Sequence, residues 1–344
     1  MRIREIDFAR GFTVLIMPAV HALLLYSPVS IHAAATGKLM GFLAEGPGAP
    51  IFMTVMGASF VFSKHNDLPS TFKRAGILLM AAYILNFFKF LIPLAAGWIP
   101  TQLLSDFNIP TGTAGMWHLL LMGDILHLAA ISLFVLALVY LLPYYQHIAL
   151  FLAFAVALLS PLLWGYHVEN KVLNYVGDLL WGNNSKVFFP VFPWITYPLL
   201  GLALGYYLKS RGDIVFTYAG IVGILLVATG RLISASNPAY HWGDFYRAAQ
   251  GGTLYYMGFL LCWLYGWHLA ARWIPNNGFF HFLEYLSRHI TTIYLVQWVL
   301  IFWLLGVIGY RQLNTFYTWV CMIAITGLVF LLNGIIIYFS RKQA

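Results

Sequence analysis

The sequence predicts an all-α fold, a polytopic helical bundle integral to a membrane with about ten transmembrane helices. Three observations carry that expectation. The 344 residues are 61% hydrophobic and only 9% charged, with a mean hydropathy of +0.79, well outside the balance of a soluble domain. Apolar runs of about twenty residues recur along the chain, broken by Pro, Gly, Asn or charge. Lys and Arg are also shared unevenly between the loops of alternate sides, which is a topology signal.

The expected spans cover residues 8–27, 47–63, 74–96, 116–142, 147–165, 188–208, 214–234, 248–273, 281–304 and 316–340. The first resembles a cleaved signal peptide in its basic start, apolar run and His32-Ala33-Ala34-Ala35. Arg10, Pro18 and His21 interrupt the run, so it reads as a retained span. The third carries Asn86 and Lys89. The fourth, with Asp124 and His127, is long enough to be tilted, bent or entered through an interfacial turn. The eighth and tenth hold Cys262 and Cys321, which fit no metal spacing and give no disulfide framework. The ninth carries Glu284, Arg288, His289, Thr291, Thr292 and Gln297. Segments near 28–46, 97–115, 166–187 and 235–247 are expected as outer loops able to fold over an outer mouth. The whole chain, 1–344, is expected as a single transmembrane domain.

With the N-terminus inside, the inner side holds Arg2, Arg4, Arg10, Lys64, Lys73, Arg74, Lys209, Arg211, Arg272, Arg341 and Lys342. The outer loops hold Lys38, Lys171, Lys186, Arg231, Arg247 and Arg311. This bias places both termini in the cytoplasm. The net charge of +8 is therefore read as topology and not as nucleic-acid affinity, since no basic block with interleaved aromatics lies on a soluble segment. No His-Glu-x-x-His or Cys-x-x-Cys spacing points to a metal, no Gly-x-Ser-x-Gly elbow to serine hydrolysis, and no phosphate or dinucleotide loop to ATP-driven or Rossmann-type chemistry.

Arg10 and His21 are the most informative pair. They lie eleven positions apart on the first span. At about 3.6 residues per turn that is almost three turns, so both face one way, about 16 Å apart along the axis. A guanidinium and an imidazole on one stripe of a membrane helix are costly unless they line a polar cavity. The blander alternative makes Arg10 an interfacial anchor and packs His21 among neighbouring helices. Asp124 and His127, three apart, are expected as neighbours on one helix face, either a base and its orienting carboxylate or two groups satisfying each other. Asn86 and Lys89 repeat that spacing; Lys89 either offers charge to an anionic ligand or snorkels to an interface. Glu284 and Arg288 have ion-pair spacing, and Gln297, deep in its span, suggests a cavity wall.

Five stretches resemble a known family. Arg10 followed by ten residues and His21 is similar to the Arg-x10-His signature of membrane acyltransferase-3 proteins. The fuller likeness is to bacterial proteins with a heparan-α-glucosaminide N-acetyltransferase-like catalytic domain, in the same broad transmembrane acyltransferase group. It runs through Ile6-Asp7-Phe8-Ala9-Arg10-Gly11, Ala49 to Ser59, Gly123-Asp124-Ile125-Leu126-His127, and Phe188 to Trp194 leading to Gly201-Leu202-Ala203-Leu204-Gly205. Tyr285-Leu286-Ser287-Arg288-His289 with Tyr294-Leu295-Val296-Gln297 resembles the group's late Gly-x-x-Ser…Tyr-Leu-x-His stretch.

The resemblance implies acetyl-CoA as acyl-donor substrate on the cytoplasmic side and a sugar or glycan amine or hydroxyl as acceptor on the far side; from the spacings above, no metal is expected. Counted without gaps from Arg10-Gly11, His32 falls where the eukaryotic N-acetyltransferases keep their essential histidine. His21 falls where acyltransferase-3 members have His and the eukaryotic enzymes often have Asn. Two departures stand out: the late histidine of acyltransferase-3 proteins is Gln297 here, and the glutamine of a eukaryotic Gly-x-Leu-Gln stretch is His127. The expected catalytic set is thus His21, His32, Asp124 and His127. Arg10, Lys73, Arg74, Asn86, Lys89 and Gln297 are expected to bind the donor or its developing oxyanion. The expected partners are acyl-CoA, the glycan acceptor and the lipid bilayer of a bacterial inner membrane, without nucleic acid; a homodimer stays open. A secondary transporter or flippase for a polar or lipid-linked solute is the alternative from another class, since intramembrane Asp, His, Lys and Glu suit proton coupling equally.

Overall fold

The computed structural model describes residues 3–182 and 186–343; Arg2 and the side chain of Arg341, both counted on the inner side above, lie outside the described set. The described chain is helical almost throughout, and its β pairing is a single parallel bridge between Gly123 and Val187. In order the helices are α1 Arg4–Tyr26, α2 Val29–Ala33, α3 Ala35–Glu45, α4 Ala49–Phe62, α5 Leu68–Asn86, α6 Ile92–Ala95, α7 Thr101–Asp106, α8 Gly112–Leu120, α9 Ile125–Tyr140 and α10 Tyr145–Leu159. There follow α11 Lys171–Trp181, α12 Val191–Trp194, α13 Thr196–Arg211, α14 Ile214–Ser234, α15 Pro238–Trp242, α16 Gln250–Trp273, α17 Gly278–Arg288, α18 Ile290–Trp303, α19 Leu305–Ile308 and α20 Thr315–Gln343.

Eight helical stretches among the described residues are long and apolar enough to cross a membrane, so the chain is an all-α polytopic membrane protein. Two of the ten expected spans fall short for different reasons. The 24 residues of α16 are long enough, but Gly, Tyr, Trp and His dilute their hydropathy. Helix α9 is apolar and only 16 residues long.

Several boundaries differ from expectation, each for a local reason. The run 116–142 is broken between α8 and α9, because the Gly123 backbone pairs elsewhere: its N–H donates to the Lys186 carbonyl at 2.8 Å and its carbonyl accepts from Phe188 N–H at 2.9 Å. Asp124, extended at φ −130 and ψ 177, then caps α9. The run 188–208 is divided at α12, where Pro190 and Pro193 have no N–H for a ladder and Phe192 leaves helical angles. The run 281–304 is divided at His289, between α17 and α18. The expected outer loop 28–46 is mostly helix, and α3 with α4 forms one apolar stretch, Ala35–Phe62.

The chain divides into two compact units interleaved in sequence. The first comprises Met1–Ile6, Ala49–Ala82 and Met122–Pro275; the second comprises Asp7–Gly48, Tyr83–Leu121 and Asn276–Ala344. In the first, α4 packs on α13 and α14 on α16. Gly201 makes the α4–α13 approach possible, since a Cβ there would strike the Thr54 carbonyl. Arg247 laces this unit's loops, donating to the carbonyls of Gly182 at 2.8 Å and Val187 at 2.6 Å and pairing with Asp244 at 2.9 Å.

In the second unit α1 lies along α17 and α18. Arg10 meets Ser287, His21 meets Trp298, and Tyr26 donates to the Ile301 carbonyl at 2.6 Å. Contacts that advance together along both segments mean that the two run parallel. Parallel entry requires an even number of crossings between their starts, which is how the expected first and ninth spans relate.

Replacing Gly201 by Val should force α4 and α13 apart. Overpacking of this kind costs about 1–3 kcal/mol, read as a lowered Tm in detergent, while Gly201→Ala should fall between Val and the native residue.

Candidate functional site

The second unit holds six of the ten expected site residues, and Arg10, His21 and Lys89 meet along the seam of α1 with α17 and α18. At its start Arg10 donates through Nε to Ser287 Oγ at 2.8 Å and through Nη2 to Asp7 Oδ1 at 2.9 Å. Ser287 in turn donates to the same Asp7 oxygen at 2.6 Å. Asp7 and Ser287 are buried, whereas the Arg10 side chain keeps 22% of its surface accessible. Gly11, next in sequence, lets α1 close on α17, because a Cβ there would strike the Leu283 carbonyl.

Eleven residues further along both segments, His21 stacks on Trp298 with ring centroids 4.1 Å apart and planes inclined by 30°. The same indole takes the Lys89 ammonium, whose Nζ lies 3.9 Å from its centroid, 4.5 Å from Phe90 and 5.3 Å from Phe302. Aromatic faces around a buried cation stabilise it through their quadrupoles. Lys89 reaches this position from a π-helical turn, Phe87–Leu91, which continues α5; such turns concentrate at functional sites. Lys89 therefore does not snorkel, and only 3% of it is exposed.

Gln297 precedes Trp298 and is fully buried. Neither its Oε1 nor its Nε2 has a hydrogen-bond partner among the described residues. The amide is thus a buried donor and acceptor with capacity left over. Asn86 is buried and donates to the Leu120 carbonyl at 3.0 Å, closing the end of α8.

His32 lies not in an open loop but on the short α2, with Nε2 3.2 Å from the Leu23 carbonyl. A carbonyl only accepts, so Nε2 holds the proton in that bond and a lone pair would be offered from Nδ1. At the far end of the unit, Asp106 accepts from Arg311 at 2.6 Å and from the Tyr310 hydroxyl at 3.0 Å. Burial, with Asp106 beside it, pushes the Tyr310 phenol up to about 12.

Four expected site residues, Asp124, His127, Lys73 and Arg74, belong to the first unit. Asp124 and His127 are not neighbours within a continuous helix: Asp124 is the N-cap of α9 and His127 its third residue. The carboxylate accepts the Ile125 N–H at 2.7 Å, and the imidazole Nδ1 accepts the Asp124 N–H at 3.1 Å, completing a capping box. That bond engages the Nδ1 lone pair and leaves the proton on Nε2 of a neutral ring. Lys73 and Arg74 are exposed in the first turns of α5, where Arg74 approaches Ser63 Oγ at 3.4 Å.

The residues that sequence spacing missed are Ser287 and Trp298. A serine beside a long-range arginine and a tryptophan in an apolar run carry no periodic signal of their own.

The family model for the catalytic domain of heparan-alpha-glucosaminide N-acetyltransferase matches residues 2–232. No curated protein matches the chain. The matched stretch includes Arg10, His21 and Lys89; Ser287, Gln297 and Trp298 follow it.

The capping box makes a stability prediction. Asp124→Ala should cost about 0.5–2 kcal/mol through loss of the α9 cap. Asp124→Asn, which keeps an acceptor oxygen, should retain most of it, and thermal unfolding of the two variants in detergent measures the difference.

Proposed function

Since the chain belongs to the heparan-α-glucosaminide N-acetyltransferase catalytic family, we propose that it is a multi-pass enzyme of the bacterial inner membrane. On this reading it moves an acetyl group from cytoplasmic acetyl-CoA to an amine or hydroxyl of a sugar or glycan on the outer side. Both termini are then cytoplasmic. The observation that carries the reading beyond the family is the Arg10–His21 register. A partly accessible guanidinium and a half-buried imidazole are held eleven residues apart against one parallel segment. That separation, about 16 Å along a helix, suits a donor whose phosphates stay at one end while its thioester reaches inward.

Arg10 binds donor phosphate by charge-assisted hydrogen bonds. His21 accepts the proton of the acceptor amine or hydroxyl as it attacks the thioester carbon. A C–N or C–O bond forms, the C–S bond breaks, and His21 returns the proton to the departing CoA sulfur. The carbonyl oxygen gains negative charge meanwhile, and Gln297 Nε2 and the Lys89 ammonium are the donors assigned to it. His21 is preferred to His32 because Trp298 already fixes its ring, and to His127 because the Nδ1 of that ring is engaged in a cap.

Purified protein with acetyl-CoA and glucosamine should release CoA thiol and yield an acetylated sugar. Vesicle uptake of an unmodified solute without thiol release would favour transport instead. Arg10→Ala should weaken acetyl-CoA binding by about 1.5–3 kcal/mol, roughly ten- to more than a hundredfold, with Lys restoring only part. His21→Ala should lower turnover by about 10²–10⁴-fold while acetyl-CoA still binds. Near-normal turnover would remove His21 as the base and return the role to His32.

A further inference from the structure

We propose that Ser287 is a positioning residue for the donor site, acting through Arg10; the inference rests on the reading of Arg10 as the phosphate ligand. Asp7, Arg10 and Ser287 form a closed ring of three hydrogen bonds. Arg10 Nε donates to Ser287 Oγ at 2.8 Å, Ser287 Oγ donates to Asp7 Oδ1 at 2.6 Å, and Arg10 Nη2 donates to Asp7 Oδ1 at 2.9 Å. Asp7 and Arg10 stand three apart on one helix, and a pair of that spacing fixes a long side chain less firmly than a contact from a second helix does. Ser287 comes from α17, on the other wall of the seam, and fixes Nε as well. With two edges of the planar group held, its remaining face has one orientation.

The burial pattern separates anchor from tool. Ser287 is 1% exposed and Asp7 3%, whereas the Arg10 side chain remains 22% accessible. A network built only to join two helices would have no reason to keep its cation accessible. Removing the hydroxyl leaves a buried carboxylate oxygen and a guanidinium N–H each short of a partner, which loosens Arg10 without touching the reacting atoms. The serine proton is committed to Asp7, and the oxygen to Arg10, so Ser287 holds and does not attack.

The test is a double-mutant cycle on the full-length protein in detergent or nanodiscs, using acetyl-CoA and glucosamine. Ser287→Ala should raise the KM for acetyl-CoA about tenfold or more, with kcat at saturating donor changed by less than about twofold. Ser287→Thr, which keeps the hydroxyl, should restore the native KM. In the Arg10→Ala background Ser287→Ala should add nothing, because the group it orients is gone. Should Ser287→Ala not fold, Ser287→Cys, similar in volume and weaker in hydrogen bonding, must show the same KM-selective loss. If Arg10→Ala raises KM while Ser287→Ala leaves it unchanged, or if the two effects add in full, the inference on Ser287 is wrong and that on Arg10 stands. If Arg10→Ala itself leaves KM unchanged, the donor reading fails with it. An acetyl group found on Ser287 by mass spectrometry would also overturn the proposal.

Discussion

The compensation of a guanidinium near the start of the first apolar helix organises the rest of the second unit. Taking part of a guanidinium out of water is unfavourable unless hydrogen-bond partners replace its lost hydration. Arg10 meets that cost with one charge on its own helix and one hydroxyl from across the seam. Asp7 supplies the charge locally, so α1 carries a neutral pair as it packs. Ser287 makes the pair specific, because only one register of α17 brings the hydroxyl to both partners. Gly11, in the next position, removes the Cβ that would hold the backbones apart.

Register fixed at Ser287 sets what happens further along. Three turns on, the same alignment brings Trp298 to His21, and the π-helical turn at Phe87–Leu91 brings Lys89 to the same indole. Aromatic faces are well suited to this place. They pack without polar atoms against the seam, yet they stabilise a cation and hold an imidazole flat. An ammonium held against such a wall is placed to meet an oxygen that becomes negative in the transfer step proposed above.

The spans were legible because twenty-residue apolar runs have few other uses, and the stripe linking Arg10 to His21 was legible because helical periodicity is rigid. The breaks were not. Gly123, Phe192 and His289 leave the helix because of backbone partners, prolines or caps that no hydropathy pattern records. Asp124 and His127 show how one spacing carries two meanings. A separation of three places residues on neighbouring turns inside a helix, and it also joins the cap to the third residue at a helix start. The preceding Met122-Gly123 gave no sign that the helix would begin there, since the pairing that stops it comes from residues 186–188. The spacing also left Lys89 open to snorkelling, because its aromatic neighbours Trp298 and Phe302 lie more than two hundred positions away.

The same long separation explains how the family signature and the site divide between two walls. The matched stretch, residues 2–232, contributes Arg10, His21 and Lys89, all of them charged or titratable groups that stand out in an apolar sequence. The facing wall contributes Ser287, Gln297 and Trp298, which are neutral and lie beyond that stretch. Neither wall suffices. The first would leave a guanidinium and an ammonium in an apolar helix pair with no surface shaped to them, and the second would bury the Ser287 hydroxyl without Asp7 and Arg10. Complementarity of this kind constrains the later segment by geometry more than by charge. A small hydroxyl at 287 and a flat ring at 298 satisfy it, and each is defined by the distance it keeps to a group on α1. The chemistry proposed above thus rests on residues 10, 21 and 89, while the groups that hold them, Ser287 and Trp298, are neutral residues late in the chain.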